Sequence, residues 1–222
     1  MRFLKDIKGV IFDIDGVLLD SMRIWKDLGE RYLKSRGKEP KEGLSDILFS
    51  MSMEEGAAYL RDHYLSDETS ETIGEGLQDM LRDFYYYEVR TKEGAEELIE
   101  AFEGKGIRMT AATSSPRTHV EKALERNGLL SHIEKIFTSA EVGSSKHSPE
   151  IYDAAAGFMG LRREEVCVIE DSLYALRTAA EAGYFTVGVK DEDGEPDQIG
   201  LEEAADISIS ELFELKNLVE EN

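Results

Sequence analysis

Short apolar runs recur along the chain and alternate with stretches whose apolar residues are spaced as in amphipathic helices. The first run, residues 9–12, is rich in β-branched residues and ends in acidic residues and a glycine, as a buried strand does where it opens into a loop. Five similar runs predict further strands, at residues 107–112, 136–138, 166–169, 185–189 and 207–209. Helical patterns separate the later runs, so the order predicts an α/β fold with a parallel sheet covered by helices on both faces.

Residues 17–90 interrupt this alternation. Apolar residues recur there at helical spacing, and no strand pattern intervenes. The segment Ser52-Met53-Glu54-Glu55 has the form of a capping box, which predicts the start of a helix, and residues 71–87 predict a single later helix. We therefore expect an all-helical domain of residues 17–90, inserted into a core domain formed by residues 1–16 and 91–222.

Two Ser-Pro pairs follow predicted strands. Ser115-Pro116 and Ser148-Pro149 each predict a helix start, with the serine as the capping residue and the proline as the first helical residue. The pair Asn127-Gly128 predicts the end of the first of these helices.

The charge balance restricts the possible partners. The 222 residues include 26 basic and 47 acidic ones, a formal net charge of −21. Such a chain repels nucleic acid and anionic membrane surfaces, so we expect neither as a partner. A small phosphorylated metabolite is still possible as a substrate, provided that a metal ion or a few placed amides and lysines make the site locally cationic.

The remaining composition indicates an intracellular protein. The single cysteine, Cys167, lies in an apolar run and has no partner for an internal disulfide. The N-terminal residues carry charge too early for a signal peptide, and no stretch approaches the ~18 apolar residues of a membrane span. We expect a cytoplasmic monomer.

Polar residues stand where the predicted strands end. In open parallel sheets, ligands bind beyond the carboxyl ends of the strands. The polar positions there are Asp13 and Asp15, Thr113-Ser114-Ser115, Lys146, and Glu170-Asp171. Converging carboxylates would repel one another, whereas a hard divalent cation such as Mg²⁺, which prefers oxygen ligands, relieves that repulsion.

These positions resemble, in order and spacing, the motifs of the haloacid dehalogenase superfamily, in particular its phosphatases and the branch that contains β-phosphoglucomutase. The matching segments are Asp13-Ile14-Asp15-Gly16-Val17, the strand ending in Thr113, Lys146 before Ser148-Pro149-Glu150, and Ile169-Glu170-Asp171-Ser172. The resemblance runs from residue 9 to about 190. It implies a Rossmann-like core with a small helical cap domain.

The resemblance also implies a reaction. Asp13 is the expected nucleophile, which forms an aspartyl-phosphate and so divides one difficult displacement into two easier ones. Asp15 is the expected general acid, which protonates the leaving group, and then the base for the attacking water.

The same resemblance implies binding roles for the other positions. Thr113 and the Ser114 amide are expected to bind phosphoryl oxygens, and Lys146 to offset the charge on the phosphoryl group and the nucleophile. The implied Mg²⁺ ligands are Asp13, Glu170, Asp171 and the main-chain carbonyl of Asp15.

Three positions depart from the family pattern. His147 stands where proline often follows the lysine, and Ala175 stands where glycine is frequent. Trp25 stands where β-phosphoglucomutase has a histidine; it also lies on an apolar stripe, so packing is as good an explanation for it as substrate contact.

We therefore expect a Mg²⁺-dependent phosphatase that hydrolyses a small phosphorylated metabolite, most simply a sugar phosphate. The first alternative is a phosphomutase, which shares the covalent step but passes the phosphoryl group to a sugar hydroxyl. An alternative of another class is a non-enzymatic phospho-receiver switch, which also uses acids, a hydroxyl and a lysine. The D-x-D motif after the first strand and the helical insertion favour an enzyme over this switch.

Overall fold

The computed structural model describes residues 6–49 and 51–221. The chain divides into two compact units. One contains the described residues up to Asp20 together with those from Arg90 onward, and the other is Ser21–Val89. No helix among the described residues combines the length and the apolar character needed to cross a membrane.

A six-stranded sheet forms the centre of the larger unit. The strands are β1 (Gly9–Phe12), β2 (Arg108–Thr113), β3 (Ile136–Thr138), β4 (Val166–Glu170), β5 (Phe185–Val189) and β6 (Ile207–Ile209). They lie in the order β3-β2-β1-β4-β5-β6, and every neighbouring pair is parallel. β1 is therefore central, with Gly9 opposite Arg108 on one side and Val166 on the other. The predicted parallel α/β fold is confirmed.

Both faces of the sheet are covered. Successive side chains of a strand point to opposite faces. Ile11 belongs to a buried apolar cluster with Ile151 and Ala155, whereas the Phe12 ring meets Phe102 edge to face, with the ring centroids 5.9 Å apart. The helices of this unit are α5 (Ala95–Gly104), α6 (Arg117–Arg126), α7 (Ser139–Val142), α8 (Glu150–Met159), α9 (Leu173–Ala182), α10 (Gln198–Ala204) and α11 (Leu212–Glu221).

The two Ser-Pro pairs begin helices one residue later than predicted. Pro116 and Pro149 occupy the capping position, and neither preceding serine caps the helix through its side chain. The hydroxyl of Ser148 instead contacts that of Ser144, and the hydroxyl of Ser115 donates to Asp15. Both prolines keep a fixed φ ahead of the helix, so the start is close to the prediction although the capping roles were wrong.

All the regular secondary structure in the described residues of the smaller unit is helical. It contains α1 (Met22–Ser35), α2 (Leu44–Phe49), α3 (Met53–His63), α4 (Ser70–Asp83) and a π-helical turn, Phe84–Glu88. The capping box at the start of α3 is present: the Ser52 hydroxyl accepts from the Glu55 amide, and the Glu55 carboxylate accepts from the Ser52 amide. The single helix predicted for residues 71–87 is divided between α4 and the π-helical turn, and the short helix α2 had no prediction.

Candidate active site

Asp13 follows the last residue of β1 and is held between two neighbouring segments. Its amide donates to the Ile169 carbonyl at 2.9 Å, which continues the pairing of β1 with β4 by one residue. Its carboxylate atom Oδ1 accepts from the Ile14 amide at 2.6 Å. The side chain is buried, so the two contacts fix its direction at the centre of the sheet edge.

Lys146 supplies positive charge to the acids at this edge. Its Nζ lies 2.8 Å from Asp13 Oδ1 and 2.7 Å from Glu170 Oε1, and the side chain is 2% exposed. Burial alone would lower the pKa of Lys146, but the Asp13 and Glu170 charges outweigh it and raise that pKa above its usual value. The lysine therefore stays charged and bridges the ends of β1 and β4.

The two carboxylate oxygens of Glu170 differ in their hydrogen bonding. Oε1 accepts from Lys146 and, at 2.8 Å, from the hydroxyl of Tyr152 on α8. Oε2 is buried and has no hydrogen-bond partner among the described residues. Lys146 and Tyr152 therefore turn the carboxylate so that a single oxygen is left for another ligand.

Three acids form a compact cluster. Asp13, Glu170 and Asp171 can each offer a carboxylate oxygen so that all three atoms lie within 4.8 Å of one another. Asp171 Oδ1 accepts from the Ser172 hydroxyl at 3.3 Å, while Oδ2 is buried and lacks a partner within the described ranges. Burial raises the pKa of all three acids; for Asp171, burial and the nearby Asp13 charge raise it to about 8.

The cluster fits a hard divalent cation. Its donors are carboxylate oxygens, the ligand type that Mg²⁺ and Ca²⁺ prefer. Two buried oxygens, Glu170 Oε2 and Asp171 Oδ2, are unsatisfied within the described structure, and such atoms are costly unless an ion or water engages them. The arrangement can thus hold a metal.

Asp15 points its carboxylate to a different group. Its Oδ2 accepts from the Ser115 hydroxyl at 2.6 Å, and the side chain is half-buried. Gly16 follows with a φ of 76°, a left-handed conformation that a residue with a side chain adopts only with strain, and its amide donates to the Leu19 carbonyl. This tight turn separates the direction of Asp15 from that of Asp13.

Thr113 and Ser114 end β2 beside β1. Thr113 is buried and its Oγ1 accepts from the Ser115 amide at 3.0 Å, whereas Ser114 is exposed and its hydroxyl lies 3.3 Å from that of Ser139. The structure thus places all seven sequence-predicted residues at the carboxyl edge of strands or in the loops that follow.

Two further residues contact this set: Ser115, a polar strand-end residue for which the sequence predicts no role in the site, and Tyr152. Because Ser115 precedes a proline, its position predicts a helix cap. Tyr152 lies among the apolar residues of α8, so its spacing predicts only core packing. Neither contact carries a local sequence signal.

In the smaller unit, Trp25 lines a cavity of about 310 Å³ and is 36% exposed. The cavity walls are largely apolar, from Leu28, Leu48, Met51, Met53, Leu60 and Leu77. Trp25 therefore forms part of the wall of this cavity.

A family comparison decides the class of the chain. The model of the haloacid dehalogenase-like hydrolases matches residues 10–189. The chain belongs to the haloacid dehalogenase-like hydrolases. It is an enzyme of the phosphatase type, which removes the receiver-switch alternative.

Individual relatives agree with this placement. A phosphorylated carbohydrates phosphatase of Thermotoga maritima is 26% identical over 177 residues, which cover 80% of this chain and 82% of the relative. A β-phosphoglucomutase-like crystal structure from the same organism has a TM-score of 0.86 and 26% identity, with 97% and 99% of the two chains covered. A hydrolase of this family from Deinococcus radiodurans, solved with bound phosphate and sodium, has a TM-score of 0.75, 25% identity, and 96% and 97% coverage.

Proposed function

We propose that the chain is a Mg²⁺-dependent phosphatase that hydrolyses a small sugar phosphate through an aspartyl-phosphate on Asp13. The observation that carries this proposal is the position of Asp13: a buried carboxylate at the end of the central strand, paired with Lys146 and clustered with Glu170 and Asp171. A nucleophile must be fixed in direction, and two hydrogen-bonding neighbours fix this one.

The bound cation would be held by Asp13, Glu170, Asp171 and the main-chain carbonyl of Asp15. When bound, Mg²⁺ supplies charge that offsets the negative oxygens of the phosphoryl group. Lys146, 2.8 Å from Asp13 Oδ1, would add its own charge, and Thr113 and Ser114 would offer a hydroxyl and an amide to phosphoryl oxygens. Buried positive charge of this kind admits a dianionic substrate to a chain whose net charge is −21.

The reaction has two steps. A carboxylate oxygen of Asp13 attacks phosphorus, the bond from phosphorus to the substrate oxygen breaks, and the departing oxygen takes a proton from Asp15. Water then attacks the same phosphorus while Asp15 accepts its proton; the bond to Asp13 breaks, and phosphate leaves. The Ser115 hydroxyl donates to Asp15 Oδ2 and so helps to fix the direction of this acid.

The substrate class rests on the relative from Thermotoga maritima that is named for phosphorylated carbohydrates. The second candidate is a phosphomutase, which the β-phosphoglucomutase-like structure favours. The two differ in product: with a sugar monophosphate and a trace of sugar bisphosphate, a mutase yields an isomer, and a phosphatase releases inorganic phosphate. Cytoplasmic location and a monomeric state stay predictions.

The decisive experiment measures phosphate release from a panel of sugar, nucleotide and small-acid phosphates, with and without Mg²⁺. Wild type is compared with Asp13→Asn and with Asp20→Asn, which changes an exposed aspartate of the same segment. We expect Mg²⁺-dependent release that Asp13→Asn abolishes and Asp20→Asn preserves. Metal-independent turnover, or full activity of Asp13→Asn, contradicts the mechanism.

A further inference from the structure

The loop after β5 lies against the cluster of acids formed by Asp13, Glu170 and Asp171. Residues 191–195, Asp-Glu-Asp-Gly-Glu, are here called the acidic loop. Gly194 lies so close to the cluster that a Cβ added there would stand 3.2 Å from Asp171 Oδ2, the oxygen that lacks a partner within the described structure, and 3.3 Å from the Asp191 Cβ. A side chain at position 194 would therefore displace either Asp171 or the loop itself.

Asp191 shapes the acidic loop. Its Oδ1 accepts from the Asp193 amide at 2.8 Å, and its main-chain carbonyl accepts from the Gly194 amide at 3.1 Å and from the Gln198 side chain. These bonds form a tight turn that brings the Gly194 backbone against Asp171. Within the turn, the amides of Asp193 and Gly194 therefore have hydrogen-bond acceptors in Asp191.

A lysine connects the acidic loop to the D-x-D turn. Lys92 Nζ lies 2.6 Å from Asp191 Oδ2 and donates to the Gly16 carbonyl at 2.8 Å, and both charged side chains are largely shielded from solvent. The amide of Gly16 is already bound to the Leu19 carbonyl. The Gly16 amide and the Asp15 carbonyl belong to one planar peptide unit, so the bond to Leu19 also sets the direction of the Asp15 carbonyl. Lys92 fixes the carbonyl of the following residue, Gly16.

A glutamate connects the acidic loop to the other side of the cluster. Glu195 Oε2 accepts from the Leu173 amide at 2.9 Å, at the first residue of α9 and two residues beyond Asp171. Its Oε1 accepts from the Asp197 amide at 3.0 Å. Ser172 makes no side-chain cap at this helix, so a loop residue fulfils that task.

From these contacts we infer that the acidic loop, through Lys92, Gly194 and Glu195, is a positioning device that sets the spacing between the Asp15 carbonyl and Asp171 and so tunes the affinity for the divalent cation. This inference rests on the proposed function, because it takes those two groups as metal ligands. Groups that orient metal ligands from behind commonly change metal affinity by about 10- to 100-fold when they are removed.

The test uses Lys92→Met, Gly194→Ala and Glu195→Gln in the full chain, with Lys190→Met as the matched control. Lys190 pairs with Glu202 at 2.6 Å on the exposed side of the same segment, so its loss leaves the cluster untouched. Mg²⁺ and Mn²⁺ binding is measured by titration calorimetry on the protein without substrate, and the Mg²⁺ dependence of turnover is measured separately.

We expect the three variants to bind Mg²⁺ at least tenfold more weakly than wild type, with turnover restored to within about twofold at saturating Mg²⁺. Lys190→Met is expected to bind as wild type does. Unchanged Mg²⁺ affinity in Lys92→Met and Glu195→Gln overturns the inference while the proposed function stands. A wild type that binds no divalent cation overturns the metal-dependent function itself. If Gly194→Ala does not fold, the other two variants, which add no non-hydrogen atoms, still decide the question.

Discussion

The hydroxyl of Tyr152 lies 2.8 Å from Oε1 of Glu170, deep beneath the cluster of acids. Burial raises the pKa of Tyr152, so the hydroxyl keeps its proton and acts as a donor. Because Lys146 donates to the same oxygen, the second oxygen of Glu170 is turned to the cluster. A residue on a covering helix thus helps to orient a predicted metal ligand.

Tyr152→Phe removes that donor and keeps the ring. We expect the free energy of unfolding to fall by about 1 kcal/mol and the Mg²⁺ affinity to fall by about tenfold. Calorimetry measures both quantities. Tyr184→Phe is the matched control, since its hydroxyl donates to Asp153 at 2.7 Å, away from the cluster. Equal Mg²⁺ affinities in the two variants contradict an orienting role for Tyr152.

Lys146→Met leaves Asp13 and Glu170 buried without their shared counter-charge. We expect a loss of about 3–5 kcal/mol in the free energy of unfolding, because the removal of one partner strands buried charges. The measurement is chemical denaturation without metal. Lys8→Met, which breaks an exposed pair with Glu165, should cost no more than about 1 kcal/mol. A similar cost for both variants refutes the prediction.

Ser115→Ala removes the hydrogen bond to Asp15. A bond to a charged group is worth about 1.5–3 kcal/mol, which corresponds to a fall in kcat of about 10- to 100-fold if the acid loses its direction. Mg²⁺ affinity should change much less, since this hydroxyl donates to the Asp15 side chain, which is not one of the three clustered acids. Ser148→Ala, a serine in the same type of Ser-Pro pair, is the control, and a kcat equal to that control disproves the assignment.

The pH dependence of Mg²⁺ stabilisation follows from Asp171. Its pKa is raised from 3.8 to about 8, so the folded protein without metal holds a proton that the unfolded chain has lost in this range. The stabilising contribution of the protonated acid is present in full below pH 3.8 and is lost as the pH rises through about 8. Since Mg²⁺ competes with that proton, the increase in Tm that it causes should grow between pH 6 and 8.5.

Thermal unfolding with and without Mg²⁺ at pH 6, 7 and 8.5 measures this effect. Asp171→Asn should flatten the dependence, because it has no proton to lose. A Mg²⁺-induced increase in Tm that is the same at all three values excludes Asp171 as the titrating group.

The strand ends were predictable because two local signals coincide there. The apolar run before Asp13 predicts a buried strand, and a parallel sheet gathers the carboxyl ends of its strands at one edge. Polar residues at those ends, such as Glu170 and Lys146, therefore had to lie near one another once the topology was known. The alternation of apolar runs and helices was enough to predict a parallel sheet covered on both faces, but it did not predict the strand order.

The supporting contacts were not predictable, because they join residues far apart in sequence. Lys92 and Asp191 are separated by 99 positions, and neither stands in a motif. Tyr152 lies among the apolar residues of α8, so the sequence pattern predicts core packing for it. Its hydroxyl nevertheless donates to Glu170, a contact that the pattern does not indicate. The sequence around Ser115 predicts a helix cap, but its hydroxyl donates to Asp15.

The central place of β1 in the sheet also bears on when the proposed cation site can form during synthesis. Asp13 is made early, but β4, its neighbour, begins at Val166, and the pairing of Gly9 with Val166 closes a very long loop of chain. Contacts of such high sequence separation form late in folding. A growing chain that has not reached Asp171 holds Asp13 without Glu170 and Asp171, so the proposed cation site is complete only after the end of β4 has been synthesised.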